Sequence, residues 1–102
     1  MDKPGKPGAY DAILIDIMAR LGADNQMAQT IEECAELITA LCHYRRKKIS
    51  DKEVISEIAD VAIMVDQLAL VFGKEEVAKV KKEKLKRLRR MLKIKGIRKI
   101  QE

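Results

Sequence analysis

Residues 50–73 have the sequence SDKEVISEIADVAIMVDQLALVFG, and they predict a helix that is apolar on almost every side. At helical spacing, seven apolar side chains of this segment lie on one arc of the helix: Val54, Ile58, Val61, Met64, Val65, Leu68 and Phe72. Three more cover much of the remaining surface: Ile55, Ile63 and Leu70. A helix that is apolar nearly all round is covered on most sides in the folded protein. We therefore expect this segment to be enclosed by other helices or by a second subunit.

Two of the acidic residues within this segment form a motif, Glu57-x-x-Asp60. Glu57 and Asp60 lie one helical turn apart, and the chain has no Lys or Arg from Glu53 to Gly73. A buried carboxylate without a partner costs several kcal/mol. Protonation, a Lys or Arg distant in sequence, or a metal ion could each offset that cost.

A second acidic motif, Glu32-Glu33-x-x-Glu36, lies on the preceding predicted helix, in a stretch without Lys or Arg from Leu21 to Tyr44. Its carboxylates repel one another at helical spacing. The same helix has a separate apolar arc, formed by Met27, Ile31, Cys34, Ala35, Ile38, Leu41 and Cys42. Taken alone, this helix is amphipathic with a solvated acidic face. Paired with the next, antiparallel helix, it brings four carboxylates to one point, a set of oxygen ligands that suits Mg²⁺ or Mn²⁺.

The rest of the chain predicts an all-α, four-helix bundle in one domain of 102 residues. Residues 1–8 form a flexible arm, and a first helix runs from Ala9 to Leu21. Asp24 or Asn25 caps a second helix that ends near Arg46. The third helix opens with the capping box Ser50-x-x-Glu53. The helical domain covers residues 9–95, and residues 96–102 form a basic tail that either adds a short helical turn or frays.

Charge is divided unevenly along the chain. Residues 74–102 contain 13 Lys/Arg and 4 Glu, a net charge of +9, and residues 1–73 carry a net charge of −4. On the fourth helix, Lys81 and Lys84 fall within the apolar arc, whereas the other basic side chains lie mostly on the far side. These two lysines either extend past a thin core to solvent or point toward the acidic cluster or a phosphate bound there.

Cysteine usage and hydropathy indicate a reduced, cytoplasmic protein that does not enter membranes. Cys34 and Cys42 lie eight residues apart on one predicted helix, about 12 Å along its axis, which is too far for a disulfide. No segment of about 18 apolar residues is free of charge, so we expect no membrane partner. The first apolar stretch contains Asp11 and Asp16, which argues against a signal peptide.

The two acidic motifs in this order resemble the EExxE…ExxD signature of the MazG-like, all-α nucleoside triphosphate pyrophosphohydrolases. The motifs are separated by 20 residues, and the likeness extends from about Tyr10 to Leu88. It includes Val61-Ala62-Ile63-Met64 after the second motif, the Phe72-Gly73-Lys74 turn and the run Lys84-Leu85-Lys86-Arg87-Leu88. A single EExxE is common in helices, but the two motifs on adjacent helices of a small all-α chain are far more specific.

This resemblance implies an enzyme that cleaves the bond between the α- and β-phosphates of (d)NTPs, giving a monophosphate and pyrophosphate. It implies Glu33, Glu36, Glu57 and Asp60 as the Mg²⁺ ligands, and Glu32 as the acid that orients the attacking water or binds a second ion. The phosphate contact maps best to Lys84, with Lys81 and Arg87 nearby. It also implies a homodimer or homotetramer. Because the chain has no Trp, a base pocket would depend on Tyr44, Phe72, aliphatic side chains or a partner subunit.

Three other functions compete with this one. A phosphoribosyl-ATP pyrophosphohydrolase would share the same chemistry. A basic helical module that binds nucleic acid would use the +9 segment, but no recognition motif is present and the basic residues do not form one stripe, so nucleic acid is not the expected partner. A catalytically silent oligomerisation or antitoxin-like protein on the same scaffold would bind metal without turnover.

Overall fold

The computed structural model describes residues 5–94, and within that range the chain forms four α-helices and no strand. Helix α1 spans Ala9–Leu21, α2 spans Ala23–Arg45, α3 spans Asp51–Phe72 and α4 spans Lys74–Ile94. The predicted all-α class is confirmed. The predicted end of the helical domain at residue 95 and the tail at 96–102 lie outside the described residues.

Helices α1 and α2 are joined by a single residue, Gly22. Its φ of +88° lies in a region that side-chain-bearing residues rarely adopt. Gly22 also occupies the N-cap position of α2, so the predicted cap at Asp24 or Asn25 was wrong. Asn25 instead donates a hydrogen bond of 2.7 Å from Nδ2 to the carbonyl oxygen of Leu21, which links the two helices across the turn.

The chain divides into two compact units, one ending at Val71 and one beginning at Phe72. In the first unit, α1 packs on α2. Helix α3 is linked to α1 by the Tyr10 hydroxyl, which donates to Asp66 Oδ2 at 2.7 Å, and by Gln67 Nε2, which donates to the Leu14 carbonyl at 3.4 Å. The Asp66 carboxylate, through this hydrogen bond and its charge, raises the pKa of Tyr10. These contacts fix α3 beside the start of α1.

The core of the first unit is small and partly polar. Leu14 is 2% exposed and Gln67 is 1% exposed, and the other buried side chains are Gln26, Thr30, Ala40 and Met64. Thr30 satisfies its hydroxyl by donating to the Gln26 carbonyl oxygen at 2.7 Å. Much of the apolar surface of α3 is not enclosed, since Ile55, Ile58, Ile63 and Val65 are exposed. The expectation that α3 is covered on most sides therefore does not hold within the first unit.

Helix α2 turns a different face inward from the one that its hydrophobicity predicts. The buried or half-buried positions include Gln26, Thr30, Glu33, Leu37 and Ala40, which share one stripe of the helix. By contrast, Ile31 is 71% exposed and Ile38 is 63% exposed. The predicted solvated acidic face was therefore wrong at Glu33, and five members of the apolar arc are exposed: Ile31, Ala35, Ile38, Leu41 and Cys42.

Helix α4 belongs to the second unit, and its apolar side chains lie together on one side of the helix. None of its residues is buried. Its apolar side chains, which lie on one broad arc, are all at least 40% exposed: Val77, Val80, Leu85, Leu88, Met91 and Leu92. Glu75 and Glu76 lie in its first turn, where negative charge is stabilised by the helix dipole.

Candidate metal centre

Three carboxylates of the two acidic motifs meet between α2 and α3. One ligand atom from each of Glu33, Glu36 and Glu57 lies within 4.8 Å of the other two. The two helices run antiparallel, because the Asp51 carboxylate at the start of α3 acts on Tyr44 near the end of α2, while Glu57, later in α3, meets Glu36, earlier in α2. This arrangement juxtaposes motifs that are separated in sequence. We call these three residues the acidic cluster.

The acidic cluster is partly enclosed and incompletely hydrogen-bonded. Glu33 and Glu57 are half-buried and Glu36 is exposed. Glu33 Oε1 accepts a hydrogen bond of 2.9 Å from Gln29 Nε2. The other carboxylate oxygen of Glu33 and one of Glu57, both named Oε2, are shielded from solvent and have no hydrogen-bond partner. Shielded carboxylate oxygens of this kind are destabilising unless a proton or a cation reaches them.

Repulsion between the carboxylates has its clearest effect on the pKa of Glu36. The negative charge of Glu33 raises the pKa of Glu36, and partial burial, the charge of Glu57, a hydrogen bond to Glu33 and the charge of Asp60 act in the same direction. The site is therefore a region of concentrated negative charge. A bound divalent cation would oppose this shift, because a nearby positive charge favours the ionised form of a carboxyl group.

The other predicted acids lie outside the acidic cluster. Asp60 is exposed, contrary to the burial expected for it, although its charge still acts on Glu36. Glu32 is exposed and is not among the three converging carboxylates. The ligand role of Asp60 and the water-orienting role of Glu32 stay predictions.

The predicted phosphate-binding residues all lie on α4. Lys81, Lys84 and Arg87 are exposed there, in the second compact unit. Of the two aromatic residues expected to serve a base pocket, Phe72 is exposed at the end of α3. The Tyr44 hydroxyl is engaged with Asp51, whose carboxylate raises the pKa of Tyr44 through a hydrogen bond and its charge.

A groove of about 420 Å³ extends from the acidic cluster along α2 and α3. Its lining includes Glu36 and Glu57 at the cluster end, and Thr39, Ala40, His43 and Glu53 beyond it. Sequence reasoning missed His43 and Glu53. A signal was available, because His43 lies seven residues after Glu36 and Glu53 four before Glu57, spacings that keep each pair on one side of its helix.

The two cysteines are free, with Cys34 half-buried and Cys42 exposed. Within the described part of the chain, no helix combines the length and the apolar character that a bilayer crossing requires. No protein-family model, curated protein or solved structure matches this chain. The likeness to the MazG-like enzymes therefore depends on the sequence motifs alone.

The pKa of Glu36 leads to a prediction about stability and pH. A carboxyl group whose pKa is raised above its ordinary value of 4.5 binds more protons in the folded state than in the unfolded state. The favourable contribution of the Glu36 carboxyl group to the free energy of unfolding is fully present below pH 4.5, and it is lost as the pH rises through the folded-state pKa of Glu36. We therefore expect Glu36→Gln to raise the melting temperature at pH 7 in EDTA, and this gain to shrink toward pH 4.5.

The matched control for that experiment is Glu32→Gln, which removes an exposed neighbouring charge. We expect it to change the melting temperature less than Glu36→Gln does at pH 7. Thermal unfolding followed by circular dichroism in metal-free buffer at both pH values measures the two differences. A lower melting temperature for Glu36→Gln at pH 7 would show that the carboxylate is stabilised in the folded protein rather than repelled.

Proposed function

We propose that this chain is a cytoplasmic, Mg²⁺-dependent nucleoside triphosphate pyrophosphohydrolase of the MazG-like type. The observation that carries the proposal is the convergence of Glu33, Glu36 and Glu57 from two helices, with two shielded oxygens lacking partners. The two sequence motifs supply these residues, Glu33 and Glu36 from the first and Glu57 from the second. The proposed Mg²⁺ ligands are these three residues and Asp60, and Mn²⁺ is the alternative ion.

The geometry of the acidic cluster is compatible with a hard divalent cation. Two oxygens on opposite sides of one Mg²⁺ are about 4.2 Å apart, since each bond is about 2.1 Å long. The ligand atoms here lie within 4.8 Å of one another, so small side-chain rotations would bring them into range. The all-oxygen donor set also favours Mg²⁺ or Mn²⁺ over Zn²⁺. Coordination would satisfy the shielded oxygens and offset the repulsion at Glu36.

Such a site can perform phosphoryl-anhydride hydrolysis mainly through electrostatics and positioning. A bound Mg²⁺ would neutralise phosphate charge and lower the pKa of a coordinated water molecule. In our proposal Glu32 orients that water or helps to bind a second ion. The phosphate-binding assignment of Lys81, Lys84 and Arg87 stays a prediction from the sequence.

The proposal is tested by incubating the purified protein with Mg²⁺ and a panel of (d)NTPs and phosphoribosyl-ATP. We expect release of pyrophosphate with a stoichiometric amount of monophosphate, and no orthophosphate, because attack occurs between the α- and β-phosphates. EDTA should abolish the reaction and Mn²⁺ should restore it. Metal binding without turnover of any substrate would instead support the catalytically silent alternative.

The proposal includes a homodimer or homotetramer. It is supported by the apolar surface left open on α2 and α3, where Ile31, Ile38, Ile55 and Ile58 are all more than half exposed. A surface of this kind usually marks an interface with another protein surface. Sedimentation equilibrium should give a mass of two or four times 11.6 kDa.

We expect the double substitution Ile31→Lys with Ile38→Lys to shift the protein to monomers, because it places two charges in the interface. Glu32→Lys, on the same helix but outside the Ile31–Ile38 face, is the control. An unchanged mass for the double variant would place the interface elsewhere.

A further inference from the structure

The groove beyond the acidic cluster has a composition that the metal site does not explain. Moving away from the cluster, α2 contributes Thr39, Ala40 and His43, and α3 contributes Glu53. Ile49, from the segment between the two helices, lines the same groove and is half-buried. The Thr39 hydroxyl already donates to the Ala35 carbonyl oxygen at 3.0 Å, so it presents its methyl group and oxygen lone pairs rather than a free donor.

The dimensions of the groove follow from helix geometry. His43 lies about 10.5 Å beyond Glu36 along α2, and Glu53 lies about 6 Å from Glu57 along α3. Because the helices are antiparallel, both displacements lead in the same direction, toward the connection between α2 and α3. A phosphate chain held by the acidic cluster would therefore have room beyond it for a sugar and then a base.

The far end of the groove has the chemistry to recognise a base. An imidazole ring offers a flat face on which bases stack, as aromatic side chains do in proteins that bind single-stranded nucleic acids. An ionised carboxylate only accepts hydrogen bonds, so Glu53 suits an exocyclic amino group and disfavours a carbonyl oxygen at the same position. Ala40 and Ile49 supply a small apolar surface beside the ring.

We propose that this groove binds the sugar and base of the substrate, with His43 stacked on the base and Glu53 accepting a hydrogen bond from an exocyclic amino group. The inference rests on the proposed function and adds a substrate class to it: nucleotides of amino-bearing bases, cytosine above uracil. His43 and Glu53 determine specificity and do not take part in the hydrolysis.

The kinetic test separates binding from chemistry. We expect wild-type protein to hydrolyse CTP with a higher kcat/KM than UTP. Glu53→Gln should reduce the ratio of the two values roughly tenfold, because an amide can pair with either base. His43→Ala should raise KM for both nucleotides roughly tenfold with kcat little changed. Lys47→Ala, an exposed change near His43 but outside the groove, is the control and should leave both parameters unaltered.

A second measurement does not depend on turnover. His43 is the only histidine, so its imidazole carbon-bound protons give an isolated NMR signal in the full chain. In Mg²⁺ buffer, where neither monophosphate is hydrolysed, adding CMP should shift this signal to saturation, and UMP should shift it only at higher concentration. Glu53→Gln should remove that difference.

The outcomes distinguish the two proposals. If no nucleotide is hydrolysed but the His43 signal titrates with CMP before UMP, the proposed function fails and the base site stands. If nucleotides are hydrolysed but His43→Ala leaves KM unchanged, or Glu53→Gln leaves the CTP to UTP ratio unchanged, the base site is overturned. An imidazole signal that moves with neither monophosphate overturns it as well.

Discussion

Glu57→Gln is expected to reduce the rate of pyrophosphate release by roughly 100-fold or more. The substitution keeps the size of the side chain but replaces a charged metal ligand with a neutral amide. Removing even one preorganised electrostatic contact from an active site costs about 100- to 1,000-fold in rate, and a metal ligand also sets the position of the ion. Glu57 links the two helices at the acidic cluster, so no other residue of α3 within the cluster can replace it.

The same experiment includes Asp60→Asn and a charge-matched control. Asp60 is exposed and lies outside the acidic cluster. Asp60→Asn should also lose activity if the Asp60 carboxylate moves to the ion when metal binds. Glu83→Gln removes an exposed carboxylate from α4 and should retain full activity. Circular dichroism should show unchanged helix content in all three variants. Full activity in both Glu57→Gln and Asp60→Asn would exclude the acidic cluster as the catalytic site.

Leu14→Ala is expected to lower the free energy of unfolding by about 2–5 kcal/mol, the range for truncating a buried leucine. Leu14 is only 2% exposed, and its carbonyl oxygen accepts the hydrogen bond from Gln67. The cavity would open at the point where α1 meets α3. Because the core of the first unit has few large apolar side chains, little neighbouring structure can collapse to fill the space.

The effect is measured by urea denaturation at one fixed protein concentration, since association with a second copy would contribute to stability. Leu21→Ala is the matched control, because Leu21 is 53% exposed at the end of the same helix. We expect it to cost less than about 1 kcal/mol. Similar losses for the two variants would show that α1 is not anchored through Leu14.

Much of the fold follows from local signals in the chain. The first helix was predicted with its bounds, Ala9–Leu21, because Gly22 can adopt the positive φ that ends a helix. The third helix begins directly after Ser50, whose carbonyl oxygen accepts a hydrogen bond from the Glu53 amide at 3.2 Å. The cap of α2 was wrong because a one-residue connection leaves no room for a separate capping residue.

The candidate site was predictable only in part. Spacing alone indicated that Glu33, Glu36 and Glu57 could converge, because two motifs on consecutive antiparallel helices face each other at one level. The groove residues His43 and Glu53 were not identified: their spacing places each on the same side of its helix as an acidic-cluster residue, but only the pairing of α2 and α3 brings the two into one groove. The burial expected for Asp60 was wrong, because the apolar positions around it are not covered within the first unit.

The amino-acid sequence by itself determined the four helices, the bounds of α1 and the position of the two acidic motifs, because these depend on helical periodicity, glycine and local charge. Only the tertiary structure decided which side of α2 points inward. Hydrophobicity favours the face of Ile31 and Ile38, yet α2 turns the stripe of Thr30, Glu33 and Ala40 toward its neighbours. Helix packing is set by the fit of all contacting surfaces together, and that balance is not contained in the pattern of any single helix.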